Sequence, residues 1–165
     1  MRRTLQTLIL TAGMSMSTFP GEAFSEQEFG VGEMEFTGGK YEKENFSYLI
    51  LSPLKVEGGK DYPLIFFMHG AGERGNDVQK LLPHLPTQMC KEEWLEEFPC
   101  FMVIPQCREG EQWVDQAWGE KKSVPIEETP TDQMAMAMSV LDRSLKTLPI
   151  DKNRVYLTGL SMGGY

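Results

Sequence analysis

The sequence predicts an α/β domain in which a mostly parallel sheet is preceded by an antiparallel hairpin. Three observations support this fold class: apolar runs without alternation, a helical segment between two of them, and a glycine-rich serine turn directly after the last run. Runs that are apolar throughout are typical of strands buried on both faces. Strands that alternate with helical segments favour parallel pairing through crossover connections. We expect this domain to occupy residues 30–165.

The hairpin is predicted from two short segments at the start of that range. Residues 33–36 alternate between polar and apolar side chains, and Gly38-Gly39 follows as a turn. Residues 46–51 form the second segment, which Ser52-Pro53 closes. Two strand-like segments joined by a glycine turn are typical of antiparallel pairing.

Three apolar runs predict the central strands, at residues 64–68, 101–104 and 154–158. Between the first two, prolines break any long helix. Residues 87–97 are predicted as one helix that turns three side chains inward: Met89, Trp94 and Leu95. Residues 105–128 are predicted as a long loop that carries Trp113 and Trp118. A loop of this length often has a functional role.

A second helix is predicted from Thr129 onward. Thr129 as N-cap, Pro130 in the first turn and Asp132 at the third position are typical of a helix start. Apolar side chains then recur at helical spacing and should face the core: Met134, Ala137, Met138, Leu141, Leu145 and Leu148. Pro149 ends the segment before the last strand.

Composition limits the functional classes. The chain has 165 residues, of which 41% are hydrophobic and 24% charged, which is ordinary for a globular domain. Its formal net charge of -8 repels phosphate backbones, so a nucleic-acid partner is not expected. No apolar run reaches the roughly 18 residues of a membrane-spanning helix.

The first 23 residues are predicted to be a signal peptide, with a disordered extension as the alternative. Arg2 and Arg3 form a basic start, residues 5–16 are moderately apolar, and residues 21–23 match a small-x-small cleavage site. We therefore expect a secreted or periplasmic protein, with the cytoplasm as the alternative.

The cysteine count leaves the disulfide pattern open. Cys100 and Cys107 are seven residues apart along a predicted strand, which corresponds to roughly 20 Å and exceeds the roughly 7 Å reach of a disulfide. A bridge between Cys90 and Cys107, a partner in a part of the protein beyond Tyr165, and free buried thiols all remain compatible with the sequence.

The strand at residues 154–158 leads into Gly159-Leu160-Ser161-Met162-Gly163, a G-x-S-x-G pattern. A strand followed by this pattern is typical of a tight turn that presents the serine hydroxyl at the end of a sheet. A Cβ on Gly159 or Gly163 would collide with the backbone of such a turn. We predict that Ser161 is a nucleophile, with a purely structural glycine turn as the alternative.

A second motif, His69-Gly70-Ala71-Gly72, follows the strand at residues 64–68. Acyl transfer develops negative charge on an oxygen, and losing one backbone N–H donor to that oxygen costs about 10²–10³ in rate. We predict that Met162 N–H is one donor and Ala71 N–H the other, with Gly72 as the alternative. His69 precedes the serine, so we expect it to brace this loop by hydrogen bonding rather than to act as a base. Glu73 and Arg74 are expected to form an ion-paired brace beside it.

Residues 64–77, which contain His69-Gly70-Ala71-Gly72-Glu73-Arg74-Gly75-Asn76-Asp77, and residues 159–165 together resemble the α/β-hydrolase superfamily. The likeness is to phospholipase/carboxylesterase and dienelactone-hydrolase-like "predicted peptidase" esterases, and it spans about residues 30–165. It implies Ser-His-Asp chemistry on carboxylic esters without a metal or cofactor. By this resemblance Ser161 forms the acyl-enzyme, and Ala71 and Met162 line the oxyanion hole. The Asp and His would follow Tyr165, so we expect the N-terminal part of an α/β-hydrolase domain whose C-terminal part is missing, and we expect this part to be inactive by itself.

Two other functions share these motifs. A serine peptidase of the prolyl-oligopeptidase type has the same turn and fold, and a degenerate hydrolase domain could serve in binding alone. For the esterase, the expected partner is a small-molecule or polymer-derived ester. Trp113 and Trp118 either line a pocket for that ester or pack their loop against the sheet. Oligomeric state is not predicted.

Overall fold

The computed structural model describes residues 29–117, 125 and 127–165. Its strands are β1 (Gly30–Gly38), β2 (Tyr41–Leu51), β3 (Tyr62–Met68), β4 (Phe101–Pro105) and β5 (Ile150–Gly159). Its helices are α1 (Leu85–Met89), α2 (Glu92–Glu97) and α3 (Asp132–Thr147), with short 3₁₀ helices at Ala71–Glu73, Val78–Leu81 and Ser161–Gly164. None of the helices in these ranges has the length and apolar character needed to cross a membrane. The predicted signal peptide, residues 1–23, lies outside the described residues.

The strands form one sheet in the order β1-β2-β4-β3-β5. The predicted N-terminal hairpin is present, because β1 and β2 pair antiparallel. β2 also pairs antiparallel with β4, whereas β3 pairs parallel with both β4 and β5. In the described ranges the sheet is therefore mixed rather than mostly parallel. The difference arises because residues 48–50 of β2 pair with β1 along one edge and with β4 along the other, which joins the hairpin to the parallel strands.

Apolar side chains cover both faces of β3 and β4, whereas Tyr156 and Leu157 of β5, the last strand of the described sheet, are exposed. In β4, Phe101 and Val103 pack on the face that α3 covers, against Met136, Ala137 and Val140. Met102 and Ile104 point to the opposite face, where they meet Leu81, Met89 and Leu95. This two-sided burial explains why β4 is apolar at every position, since alternate residues of a strand face opposite sides of its sheet.

The helix α3 begins two residues later than predicted, and one of its predicted core residues is exposed. Thr131, not Thr129, is the N-cap: its Oγ1 accepts from Met134 N at 3.1 Å and donates to Trp113 O at 2.7 Å. The predicted core residue Met138 is 54% exposed. Ala137 is buried as predicted, and four further predicted residues pack half-buried against the core: Met134, Leu141, Leu145 and Leu148. The helix also buries four residues that were not predicted to face the core: Gln133, Met136, Val140 and Ser144.

One of the residues that the prediction missed is polar. Gln133 is fully buried, and its Nε2 donates to Tyr41 Oη at 2.6 Å while its Oε1 accepts from Arg108 N at 2.8 Å. A buried amide is tolerated when its polar atoms are bonded in this way. Apolar periodicity cannot locate such a residue, and so the prediction omitted it from the buried face.

We expect Thr131→Ala to lower the free energy of unfolding by about 1–2 kcal/mol, because it removes the helix cap and the hydrogen bond to Trp113. Urea denaturation measures this loss. Thr147→Ala is the matched control, since Thr147 Oγ1 only donates to Arg143 O at the exposed end of α3. Equal losses in the two variants would contradict the capping role.

The segment predicted as one helix over residues 87–97 is two short helices. Lys91 adopts an extended conformation, with φ -68° and ψ 136°, and separates α1 from α2. Met89 and Leu95 are buried as predicted, but Trp94 is 42% exposed and stacks on Phe98 instead. Hydrophobicity predicted an inward Trp94, whereas the break in the helix rotates it outward.

All three cysteines are buried free thiols. Cys90 packs with one core cluster and Cys107 with the cluster on the other face of the sheet, which excludes a bridge between them in this fold. Burial raises the pKa of Cys107 to about 12 and also raises the pKa of Cys100. Both thiols therefore stay protonated at neutral pH and are poor nucleophiles.

Candidate active site

The two predicted motifs leave the sheet side by side. β3 and β5 are parallel neighbours, and Met68 at the end of β3 lies opposite Gly159 at the end of β5. Leu160 N donates to Met68 O at 3.0 Å, which ties the two chain exits together. Loops at the carboxyl ends of neighbouring parallel strands are a common position for ligand sites.

Ser161 lies at the sharpest point of the turn after β5. Leu160 is still extended, whereas Ser161 has a φ of +50° and begins the 3₁₀ helix Ser161–Gly164. Positive φ is unfavourable for a residue with a Cβ and often marks a functional turn. Ser161 is exposed, while the neighbouring Met162 is 2% exposed and packs into the core. The buried methionine thus anchors a turn that presents the serine hydroxyl outward.

The glycines on either side of the serine have no room for a side chain. A Cβ on Gly159 would lie 1.9 Å from Gly163 O, and one on Gly163 would lie 2.0 Å from Met68 O. These neighbours are backbone atoms that cannot move without displacing β3 or the turn. The turn therefore requires glycine at both positions.

Gly70 brings the first motif against the serine. A Cβ on Gly70 would lie 3.4 Å from both Ser161 Cβ and Leu160 O. Among the described residues, the backbone N–H groups of Ala71, Gly72 and Met162 make no intramolecular hydrogen bond. Such N–H groups beside a serine hydroxyl can donate to an oxygen that gains negative charge.

His69 is buried between this loop and β4. It is 1% exposed; its Nε2 accepts from Cys107 N at 3.0 Å, and its Nδ1 donates to Gly70 O at 2.6 Å. Burial lowers its pKa, and these bonds require the neutral imidazole with its proton on Nδ1. With both nitrogens engaged, the ring has no free lone pair for the Ser161 proton.

We expect His69→Gln to destabilise the protein by about 2–3 kcal/mol at pH 7.5 and by less at pH 5. As pH falls below about 6.5, the unfolded histidine binds a proton that the buried one does not, so the parent loses stability on acidification. The glutamine variant lacks this contribution. Urea denaturation at the two pH values measures the difference, and His84→Gln at an exposed position is the control. An equal loss at both pH values would contradict the neutral assignment.

Of the two loop tryptophans, only Trp113 lies within the described residues. Trp113 is 1% exposed, its Nε1 donates to His69 O at 3.0 Å, and its ring meets the His69 ring edge-on at 5.0 Å. Trp113 therefore packs its loop against the sheet and does not line an open pocket, because its single polar atom is needed to hold His69. Trp118 lies outside the described residues.

Sequence reasoning missed Gln106, which follows β4. It is 2% exposed, and its Nε2 donates to Glu73 O at 3.0 Å and to Asp77 O at 2.8 Å. Arg74 supports the same loop, with its Nε donating to Ala71 O at 2.9 Å and its guanidinium to Glu111 O at 3.0 Å. Glu73 Oε1 lies 3.9 Å from His84 Nε2. The signal for Gln106 is its position, a polar residue directly after a fully apolar strand.

In the part of the chain that the structure describes, no group of three His, Cys, Asp or Glu side chains could hold a metal ion. The site is instead a serine hydroxyl between two glycine-bearing turns, held by a buried histidine and a buried glutamine. This combination of sheet, serine turn and glycine loop is the arrangement found in α/β-hydrolases.

No protein-family model matches the sequence, and neither does any curated protein. Solved structures do match. A thermostable esterase aligns over 82% of this chain with a TM-score of 0.66 and 26% identity. A ferulic acid esterase from Anaeromyces mucronatus aligns over 89% with a TM-score of 0.52 and 13% identity. An S-formylglutathione hydrolase from Agrobacterium tumefaciens aligns over 87% with a TM-score of 0.52 and 14% identity.

These structures are esterases and related hydrolases of the α/β-hydrolase superfamily, and they confirm the resemblance predicted from the two motifs. The aligned part covers 35%, 53% and 52% of the three proteins, so the chain spans between about a third and half of their length. The two relatives below 25% identity show the fold alone.

Proposed function

We propose that this chain is part of a carboxylic-ester hydrolase that acts through an acyl-enzyme on Ser161. The observation that carries the proposal is the position of Ser161, at φ +50° on a tight turn and directly against Gly70. The thermostable esterase that aligns with the chain at 26% identity supports an ester substrate. The expected substrate class is a small-molecule or polymer-derived carboxylic ester, with no metal or cofactor.

In the proposed reaction, Ser161 Oγ attacks the ester carbonyl carbon while a base removes the hydroxyl proton. The N–H groups of Met162 and Ala71, or of Gly72 in place of Ala71, donate to the oxygen that becomes negative. The tetrahedral intermediate collapses, and the alcohol leaves with the proton. Water then attacks the acyl-enzyme while the base takes its proton, and the carboxylic acid is released as Ser161 Oγ regains a proton.

The base and the acid that orients it are proposed to lie beyond Tyr165. Two facts about the described histidines support this: both nitrogens of His69 are bonded to backbone groups, and His84 is exposed with its Nε2 toward Glu73. In serine hydrolases with this turn, the acid and the histidine follow the serine in chain order.

We also propose that the protein is exported and that residues 1–23 are removed as a signal peptide. The basic start and the small-residue cleavage pattern support this proposal. N-terminal sequencing of the protein recovered outside the cytoplasm tests it. A mature protein that keeps Met1 would contradict it.

A substrate screen of the full-length protein tests the function. We expect p-nitrophenyl esters to be cleaved with kcat/KM at least about 10³-fold above that for peptide p-nitroanilides. A phenolate is a far better leaving group than an amine, and only a peptidase assists the departure of the amine. Labelling with a fluorophosphonate, followed by peptide mapping, should place the adduct on Ser161. Robust anilide cleavage would favour a serine peptidase, and an unlabelled Ser161 would favour a binding domain.

A further inference from the structure

Glu73 is a carboxylate that the proposed reaction does not use, although it lies beside the serine turn. A Cβ placed on Gly70 would lie 2.9 Å from Glu73 Oε2 and 3.4 Å from Ser161 Cβ. The carboxylate and the serine side chain therefore both border Gly70. Because the Glu73 side chain is only 17% exposed, solvent screens its charge less than that of a surface residue.

The backbone of Glu73 is held in this position from two sides. Glu73 N donates to Gly70 O at 3.4 Å, and the buried Gln106 side chain donates to Glu73 O at 3.0 Å. The loop is thereby anchored to the end of β4. The carboxylate consequently stays close to the serine turn.

The ion pair between Glu73 and His84 compensates the carboxylate charge only weakly. Glu73 Oε1 lies 3.9 Å from His84 Nε2, and the His84 side chain is 59% exposed. Long ion pairs with an exposed partner contribute little. His84 therefore compensates the charge of Glu73 only weakly at the serine turn.

We propose that Glu73 determines specificity by disfavouring esters that carry a negative charge near the scissile carbonyl. This rests on the proposed function, since it requires the carbonyl to bind at Ser161 and to pass beside Gly70. Repulsion between two charges about 6 Å apart corresponds to roughly 3-fold in water and roughly 100-fold at an effective dielectric of 20. We expect a preference of about tenfold, between these limits.

Two esters of one skeleton test the proposal with the full-length protein. The p-nitrophenyl monoester of adipic acid is anionic, and p-nitrophenyl methyl adipate is its neutral counterpart. The parent should prefer the neutral ester about tenfold in kcat/KM, and Glu73→Gln should reduce this preference to less than about threefold. Glu93→Gln on the exposed surface of α2 is the matched control and should keep the parent ratio.

The ratio compares two substrates on one protein, so a general loss of activity cancels. Glu73→Ala serves as the second variant and should give the same reduced ratio if the glutamine variant folds poorly. An unchanged ratio in these variants, or a parent without preference, would overturn the role of Glu73 while leaving the esterase intact. A parent that hydrolyses neither ester would overturn the proposed function and this inference together.

Discussion

Replacing Ser161 with alanine in the full-length protein is expected to lower kcat/KM for p-nitrophenyl esters by about 10⁴–10⁶-fold. The variant lacks the oxygen that forms the acyl-enzyme, and removal of a triad nucleophile leaves only the weak catalysis of the oxyanion hole and of substrate binding. The same variant should also lose covalent labelling by a fluorophosphonate. Initial rates and intact-mass measurements provide the two readouts.

Ser139→Ala is the matched control for this substitution. Ser139 also carries a hydroxyl, which donates to Ala135 O at 2.9 Å within α3, away from the serine turn. We expect this variant to keep its activity within about twofold, since its only change is one helix-internal hydrogen bond. If Ser161→Ala retained more than about a tenth of the parent activity, another group would have to be the nucleophile.

Gly163→Ala is expected to lower the free energy of unfolding by about 3–5 kcal/mol, the largest stability effect that we predict in the described residues. The new Cβ would lie 2.0 Å from Met68 O and 2.5 Å from Met68 C, so either the end of β3 or the serine turn must shift. Because the same shift moves Ser161 away from the loop that begins at Gly70, ester hydrolysis should fall as well. Urea denaturation and initial rates measure the two effects.

The next residue provides the control for this steric argument. A Cβ on Gly164 would meet its nearest neighbour, Gly159 O, at 3.8 Å, which is an ordinary contact. Gly164 also has no positive φ, so alanine fits its backbone. We expect Gly164→Ala to change stability by less than about 1 kcal/mol. Similar losses at positions 163 and 164 would mean that the turn relaxes and does not require glycine.

Local patterns were sufficient to predict the central strands and the two turns of the site. β3 and β4 are apolar at nearly every position because both faces of each strand are buried, and this condition is visible in the sequence itself. The glycines around Ser161 were likewise predictable, since only glycine fits a turn in which a Cβ would meet the backbone. Tyr165 ends the sequence shortly after this turn.

Several residues could not be placed in this way. Trp113 was compatible with a substrate pocket until its indole was found bonded to His69 O, and Gln133 was not expected in the core at all. Thr131 replaced Thr129 as the helix cap because its hydroxyl also bonds to Trp113 O. In each case the deciding partner is distant in the sequence, and residue type and periodicity do not identify it.

The sequence by itself determined the α/β class, the order of the strands along the chain and the identity of the candidate nucleophile, because each depends on interactions among neighbouring residues. Only the tertiary structure decided that β2 joins β4, which makes the sheet mixed. It also decided that His69 is a neutral brace with both nitrogens occupied, and that the Glu73 carboxylate and the Ser161 side chain both border Gly70. These features arise from pairing between segments that are far apart in the chain, so their hydrogen bonds and close contacts exist only once the sheet has formed.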